Sequence, residues 1–250
     1  MTKLNKKVID GIAPVTLADC VMIGDGTSDT VLDRLQTMGN NTNYNGKRAL
    51  WLGDSISVAG NPNYPKYVCD TLGMTLTNKA SSGGDSVRMR AILQGLNVGS
   101  TSYTAIDVTQ FDYVFIMIGH NCDGTTGVTA ASASINNIPL DDTPYTDFPN
   151  GYYTDVASCI EYVWANNPNC KIYLITPTQS PNGRYAPTTA AAQKALKEIG
   201  NLYSIPVIDV YAECGISRKN IDKYSNDKIH PNELGVQAIG DYIVNYLYAR

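Results

Sequence analysis

From residue 47 onward, short apolar runs alternate with longer stretches in which apolar residues recur every three or four positions. The short runs are rich in Val, Ile, Leu and Tyr and lack a regular apolar–polar alternation, which predicts strands buried on both faces. These predicted strands are residues 48–52, 74–78, 113–118, 171–175 and 206–209. The predicted helices between them are residues 64–72, 85–96, 152–166 and 188–203.

The clearest helical pattern lies in HPNELGVQAIGDYIVNYLYAR, residues 230–250. Pro231 stands where we expect a first-turn proline. The predicted apolar stripe consists of Leu234, Ala238, Ile239, Tyr242, Ile243, Tyr246 and Leu247. Strands that alternate with helices predict an α/β protein, a three-layer α/β/α sandwich around a central, mainly parallel five-stranded sheet.

Residues 1–46 carry a different pattern. Thr27 or Ser28 can cap a short helix whose apolar face would consist of Val31, Leu32, Leu35 and Met38. A polar, turn-rich linker, GNNTNYNG, follows. So short a helix needs a partner for its apolar face, either the main domain or another copy of the chain. We therefore expect an N-terminal appendage and linker over 1–46, for oligomerisation or attachment, and a main domain over 47–250.

The composition argues against nucleic-acid-binding and membrane-spanning proteins. The 250 residues are 43% hydrophobic, enough for a substantial core, and carry a net charge of −4 without a basic cluster, which argues against nucleic-acid binding. No stretch reaches the ~20 apolar residues of a membrane span, and no apolar segment of signal-peptide quality follows the basic N-terminus. We expect a soluble protein without a cleavable signal peptide.

Cysteine and tyrosine usage adds two expectations. The six cysteines are scattered, with no C-x-x-C motif and no Cys/His ligand cluster, which favours mostly free, apolar cysteines over a disulfide framework. The 17 Tyr against 3 Phe suit a polar ligand such as a sugar. Tyrosines that stand where Phe would also serve are the alternative.

Four polar segments lie at or near predicted strand ends or helix starts, where ligand sites of parallel α/β sheets gather. They are ALWLGDSIS, NKASSGGDS, IMIGHNCDG and SNDKIHPNELG. Their candidate residues are Ser55, Gly83, Gly84, Asn121, Asp227 and His230. Each alone is typical of a turn or a helix start. In this order, however, they provide the nucleophile, the oxyanion donors, the base-orienting carboxylate and the base of a serine hydrolase.

The chain from about 47 to 250 resembles the SGNH hydrolases, also called GDSL-type esterases and lipases. The motifs that match are Gly53-Asp54-Ser55, the glycine of SSGGDS, Gly119-His120-Asn121 and Asp227-x-x-His230. The resemblance implies a flavodoxin-like SGNH fold and ester hydrolysis through an acyl-enzyme, with no metal and no cofactor.

The resemblance also implies a role for each residue. Ser55 would be the nucleophile, His230 the general base and then the general acid, and Asp227 the residue that orients the imidazole. The oxyanion hole would consist of the N–H groups of Ser55 and Gly84 and the side-chain amide of Asn121. Gly83 is the alternative to Gly84.

Two departures from the family pattern stand out. Asn121 is followed by Cys122, with Asp123 one place later than in the common Gly-x-Asn-Asp block, and Ile56 replaces the Leu of GDSL. His120 is expected to be a polar residue that lines the cleft rather than a second base. A second Gly-Asp, in MIGDGTSDT, lies outside the strand–helix series, so we interpret it as a turn.

The substrate is expected to be a small-molecule or glycan ester, with removal of O-acetyl groups from a glycan favoured. Loops rich in Tyr and Asn, a polar insertion over 125–150 and the lack of an apolar lid-like segment support this expectation. The alternatives are a lysophospholipase or thioesterase, and a glycan-binding module on a vestigial hydrolase scaffold.

The N-terminal segment resembles modules at the front of phage tail and appendage proteins. That resemblance implies a virion protein that oligomerises through this segment. The competing expectation is a bacterial esterase that is cytoplasmic or exported by another route.

Overall fold

The computed structural model describes residues 44–125, 129–130, 133–181 and 183–249. Residues Gly46–Arg250 form one compact unit. The short helix predicted near residues 31–38 lies outside the described residues, so the role of the N-terminal segment stays a prediction. No helix in the described part of the chain is long and apolar enough to cross a membrane.

Five parallel strands form the central sheet, in the order β2-β1-β5-β6-β7. Their bounds are β1 Arg48–Gly53, β2 Thr75–Asn78, β5 Tyr113–Met117, β6 Lys171–Ile175 and β7 Val207–Ile208. All five predicted strands are therefore confirmed, with small differences at their ends. A separate antiparallel hairpin, β3 Asn97–Val98 and β4 Thr101–Ser102, was not predicted, because two-residue strands leave almost no periodic signal.

The helices are α1 Tyr64–Leu72, α2 Ser86–Gln94, α3 Tyr152–Asn166, α4 Tyr185–Tyr203, α5 Val210–Glu213, α6 Ile221–Tyr224 and α7 Glu233–Tyr248. Helices α1 and α3 match their predicted bounds. Helix α2 stops before the predicted end because Gly95 takes a left-handed conformation at its C-cap. The one-turn helices α5 and α6 are too short for a periodic pattern and were not predicted.

Helices cover both faces of the sheet, as the pattern predicts. Helix α2 packs on α3 and α3 on α4, and their apolar residues form one core with Leu50, Val114 and Leu174 of the strands. On the other face α1 packs on α7. There Trp51 stacks on Phe115 with ring centroids 4.4 Å apart. The strands are therefore buried on both sides.

The start and the buried face of α7 differ from the prediction. The Asn232 side chain caps the helix by accepting the Gly235 N–H, so Pro231 precedes the cap instead of standing in the first turn. Leu234, predicted in the apolar stripe, is 49% exposed. Gly235 and Gly240 lie on the buried face, where they allow close approach of neighbouring groups. Ile239, Ile243 and Leu247 of the predicted stripe are buried, so the prediction was wrong at Leu234, while the glycines, which add nothing to a hydrophobic pattern, were missed.

The cysteine prediction is confirmed for the described residues. Five cysteines are free and buried within these ranges: Cys69, Cys122, Cys159, Cys170 and Cys214. They pack as small apolar side chains, as expected from their scattered positions.

Candidate active site

The nucleophile candidate stands on a tight turn directly after β1. The strand ends at Gly53, and a single 3-10 turn, Ser55–Ser57, follows Asp54. A Cβ on Gly53 would come within 2.6 Å of the Met117 carbonyl oxygen, so only glycine fits there. Ser55 is partly exposed and opens the turn. Its N–H is therefore one of the groups that have no partner inside the helix.

Ser55, His230 and Asp227 form a continuous chain of hydrogen bonds. The Ser55 Oγ lies 3.0 Å from His230 Nε2, and His230 Nδ1 lies 2.6 Å from Asp227 Oδ2. Ser55 and His230 are 175 residues apart in sequence. They meet because the carboxyl end of β1 and the loop before α7 lie at the same edge of the sheet. The structure thus places together the nucleophile, base and orienting carboxylate that the sequence predicts.

Hydrogen bonds fix the Asp227 carboxylate. Its Oδ1 accepts the backbone N–H groups of His230 and Ile229, at 2.7 and 2.9 Å, and the Ser225 hydroxyl at 3.0 Å. Burial alone would raise the pKa of Asp227, but the bonds from His230, Ile229 and Ser225 outweigh it and hold the pKa well below its ordinary value. Asp227 therefore stays ionised at neutral pH and can orient the imidazole of His230 through Nδ1.

Two of the residues expected to form the oxyanion hole, Asn121 and Gly84, are in contact. The Asn121 side-chain amide donates to the Gly84 carbonyl at 3.1 Å, which leaves its second N–H for another acceptor. The Gly84 N–H donates to the Ser81 carbonyl at 2.9 Å. Gly83, at φ +68°, is exposed, and its N–H has no hydrogen-bond partner among the described residues. The choice of Gly84 over Gly83 stays a prediction.

Comparison with known protein families agrees with the geometry of the site. Residues 51–238 match the model of the GDSL-like Lipase/Acylhydrolase family, a range that includes Ser55, Asp227 and His230. The protein is a member of that family. The resemblance that the four motifs indicate is therefore confirmed.

Solved structures show the same fold for this GDSL-like acylhydrolase. A catalytic mutant of an acetylxylan esterase from Geobacillus stearothermophilus is similar at 18% identity and TM-score 0.58, covering 82% of this chain and 95% of that one. A lipase/acylhydrolase from Enterococcus faecalis is similar at 18% identity and TM-score 0.56, covering 82% and 96%. No curated protein matches the sequence. At these identities the likeness shows the fold alone.

Asp54 and His120 of this GDSL-like acylhydrolase have contacts that the sequence did not reveal. The buried Asp54 carboxylate accepts the Ile56 N–H at 3.0 Å and the His120 N–H at 3.2 Å. The His120 ring is 1% exposed, with Nε2 3.3 Å from the Thr178 hydroxyl and Nδ1 3.5 Å from the same Asp54 oxygen. The expectation that His120 lines the cleft was wrong, because the ring packs inward against Asp54.

Asp123 does not contact Asn121. Its Oδ1 accepts the N–H and the hydroxyl of Thr125, and its Oδ2 lies 3.3 Å from Arg184 Nε. The buried Cys122 side chain stands between the two residues in sequence. Asp123 therefore stabilises its own turn at the position where the family pattern is shifted by one residue.

A buried network of hydrogen bonds stabilises the turn Ser55–Ser57. The Tyr64 hydroxyl lies 2.6 Å from Ser57 Oγ, donates to Met117 Sδ at 2.7 Å and accepts the Trp51 indole N–H at 3.3 Å. Burial raises the pKa of Tyr64, so the hydroxyl stays protonated. Sequence reasoning missed this network, because a tyrosine at the start of α1 gives no sign of its partners.

Within the described ranges, no group of three or more His, Cys, Asp or Glu side chains is arranged to hold a metal ion.

Proposed function

We propose that the protein is a serine esterase that hydrolyses carboxylic esters through an acyl-enzyme on Ser55. The observation that carries this proposal is the hydrogen-bond chain from Ser55 through His230 to Asp227, at 3.0 and 2.6 Å. With Nδ1–H bonded to Asp227, the neutral imidazole has Nε2 free to accept the Ser55 proton. The two side chains are thus arranged as a general base and its nucleophile need.

The reaction follows from this arrangement. As Ser55 Oγ attacks the ester carbonyl carbon, His230 Nε2 takes the hydroxyl proton. His230 then gives that proton to the leaving alcohol, and the acyl group remains on Ser55. Water repeats the sequence, with His230 as its base, and releases the carboxylic acid and the free serine hydroxyl.

The negative charge that develops on the carbonyl oxygen needs N–H donors. The second amide N–H of Asn121 and the N–H of Ser55 are suited to it, together with one glycine N–H from the 83–84 turn. Fixed donors of this kind stabilise the tetrahedral intermediate more than the substrate. In the proposed reaction the carbonyl oxygen points to these donors, and the leaving oxygen points to His230.

We further propose that the natural ester is an O-acetyl group on a glycan. The acetylxylan esterase of the same fold supports this choice. The described part of the 125–150 insertion also supports it, since it contains short 3-10 turns, Ile135–Asn137 and Tyr145–Asp147, rather than an apolar lid helix. A small acyl group needs no long apolar tunnel.

Hydrolysis of p-nitrophenyl acetate at pH 8 tests the esterase proposal. Wild type, Ser55→Ala and the control Ser100→Ala, an exposed serine of the β3–β4 hairpin, would be compared. We expect Ser55→Ala to lose at least about 10³-fold in kcat and Ser100→Ala to match wild type. Equal turnover in all three would show that Ser55 is not the nucleophile. Glycan binding without turnover by wild type would instead indicate a binding module.

A comparison of p-nitrophenyl acetate with p-nitrophenyl octanoate tests the acyl group. We expect the higher kcat/KM on the acetyl ester. A clear preference for octanoate would reject deacetylation and favour a lysophospholipase or thioesterase of the same family.

A further inference from the structure

A cleft of about 690 Å³ is lined by residues of the two segments that follow Ser55 and surround His230 in sequence. One wall is the 60–62 loop, which directly follows the nucleophile turn, since the Ala59 N–H donates to the Ser55 carbonyl at 2.8 Å. The opposite wall contains Asn226 and Pro231, the sequence neighbours of Asp227 and His230. The cleft therefore adjoins the loop that carries Asp227 and His230, although the three catalytic side chains are not among its lining residues.

The direction of the proposed reaction determines which part of an ester points to this side. The ester carbonyl oxygen faces the Asn121 amide and the glycine turn, whereas the leaving oxygen must come within hydrogen-bond distance of His230 Nε2. The alcohol portion of the substrate therefore lies toward the histidine loop, where the cleft opens, and the acyl portion lies elsewhere.

The side chains that line the cleft suit a saccharide. Asn61, Asn226, Glu233 and Gln237 are exposed, and within the described ranges none of these four side chains has a hydrogen-bond partner. Amides and a carboxylate can donate to or accept from sugar hydroxyls. The exposed Leu234, on the same wall, offers an apolar surface to the C–H face of a sugar ring. A fatty chain would leave these polar groups desolvated and unpaired.

We propose that this cleft is the subsite for the alcohol portion of the ester and that it takes a saccharide unit. The inference rests on the proposed esterase function, and it assigns recognition of the sugar to Asn226 and Gln237 in particular. Asn226 precedes the catalytic Asp227, and Gln237 lies one turn into α7 on the cleft wall.

Two ester substrates distinguish sugar binding in the cleft from the chemical step at Ser55. The first is p-nitrophenyl acetate, whose alcohol carries no sugar hydroxyl, and the second is mono-O-acetylated glucose or xylobiose. The double variant Asn226→Ala/Gln237→Ala would be compared with Asn245→Ala, an exposed amide further along the same helix. Because two hydrogen bonds are lost, we expect KM for the sugar acetates to rise about 10-fold in the double variant. In the double variant, turnover of p-nitrophenyl acetate should stay at the wild-type value. Asn245→Ala should show wild-type kinetics on both kinds of ester.

A blocking variant, Gln237→Trp, gives a second readout. We expect it to lose at least about 10-fold in kcat/KM on the sugar acetates and to retain p-nitrophenyl acetate hydrolysis. Loss of p-nitrophenyl octanoate hydrolysis with the sugar acetates spared would make the cleft an acyl site and overturn the proposal. Wild-type kinetics of both variants on the sugar acetates, or failure of wild type to hydrolyse them, would also overturn it. In those cases p-nitrophenyl acetate hydrolysis that depends on Ser55 would leave the esterase function standing.

Discussion

The carboxylate of Asp54 accepts the backbone N–H of His120, 66 residues further along the chain, at 3.2 Å. Its other oxygen caps the 3-10 turn that begins at Ser55. One buried side chain therefore joins the turn of the nucleophile to the loop of Asn121, the expected oxyanion donor. The distance between those two groups depends on this carboxylate.

Replacement of Asp54 should lower both stability and turnover. Asp54→Ala leaves two buried N–H groups without an acceptor, at a cost of about 1–3 kcal/mol each. We expect kcat to fall as well, because the nucleophile turn and the Asn121 loop lose their shared anchor. Asp107→Ala is the matched control, since Asp107 caps a 3-10 turn on the surface. Thermal unfolding and kcat check this prediction, and a full kcat in folded Asp54→Ala would contradict it.

Asn121→Ala should be severely impaired in turnover and should lose only about 1 kcal/mol of stability, from the hydrogen bond to the Gly84 carbonyl. The loss of one oxyanion donor typically costs about 10²–10³ in kcat. Asn121→Asp has the same shape but adds a negative charge where the oxyanion develops, so we expect it to be at least as slow. The measurement is kcat on p-nitrophenyl acetate, with thermal unfolding as the check that each variant is folded. A loss of less than threefold in Asn121→Ala would exclude Asn121 as a donor.

Asp227→Asn should lower kcat by about 10³-fold or more, because the imidazole of His230 loses its orienting anion. The substitution should also change how the free energy of unfolding depends on pH in the acid range. The pKa of Asp227 lies well below the ordinary value of about 4, so its ionised form adds stability that is complete above that value. This stability is lost as the pH falls through the folded-state pKa.

Urea unfolding at pH 7, 5, 4 and 3 measures this contribution. We expect the difference in unfolding free energy between wild type and Asp227→Asn to be constant above about pH 5 and to shrink below about pH 4. A difference that grows toward acid would contradict the depressed pKa.

Arg90→Ala should destabilise the protein strongly. The buried guanidinium donates to the carbonyl oxygens of Phe148, Tyr145 and Thr146, at 2.9, 3.2 and 3.4 Å, and lies 3.6 Å from the buried Asp155 carboxylate. Removal of one partner of a buried ion pair costs about 3–5 kcal/mol. Lys47→Ala, which breaks an exposed pair with Asp112, is the control and should cost about 1 kcal/mol or less.

The stability deficit of Arg90→Ala should also depend on pH, in a direction that the surroundings of Asp155 determine. Burial raises the pKa of Asp155 to about 6, while bonds from Ser86 and the charge of Arg90 lower it. Without Arg90 the pKa rises further, so the folded variant binds a proton that the unfolded chain releases above about pH 4. We expect the stability deficit of Arg90→Ala to be largest at pH 8 and to diminish toward pH 5. A deficit that is equal at both pH values in urea titrations would contradict this assignment.

The sequence predicted strands and helices correctly where their apolar pattern is contained within the element itself. The strands at 48–52 and 171–175 and the helices at 64–72 and 152–166 follow from apolar periodicity, because each buries its own face or faces. The prediction failed at Leu234, because the buried face of α7 is set by its glycines and its cap. The hairpin of two-residue strands was equally invisible.

The sequence by itself determined the parallel α/β architecture and the order of Ser55, Asn121, Asp227 and His230 at the ends of its elements. Both follow from periodicity and from the rule that carboxyl ends of parallel strands share one edge. Only the tertiary structure decided the inward position of His120, the link from Asp54, the hydrogen bond that holds the Gly84 N–H and the cleft beside α7. Except for the Gly84 bond, which is made to Ser81 in the same turn, these features depend on contacts between residues far apart in the chain, whose partners no local pattern can specify.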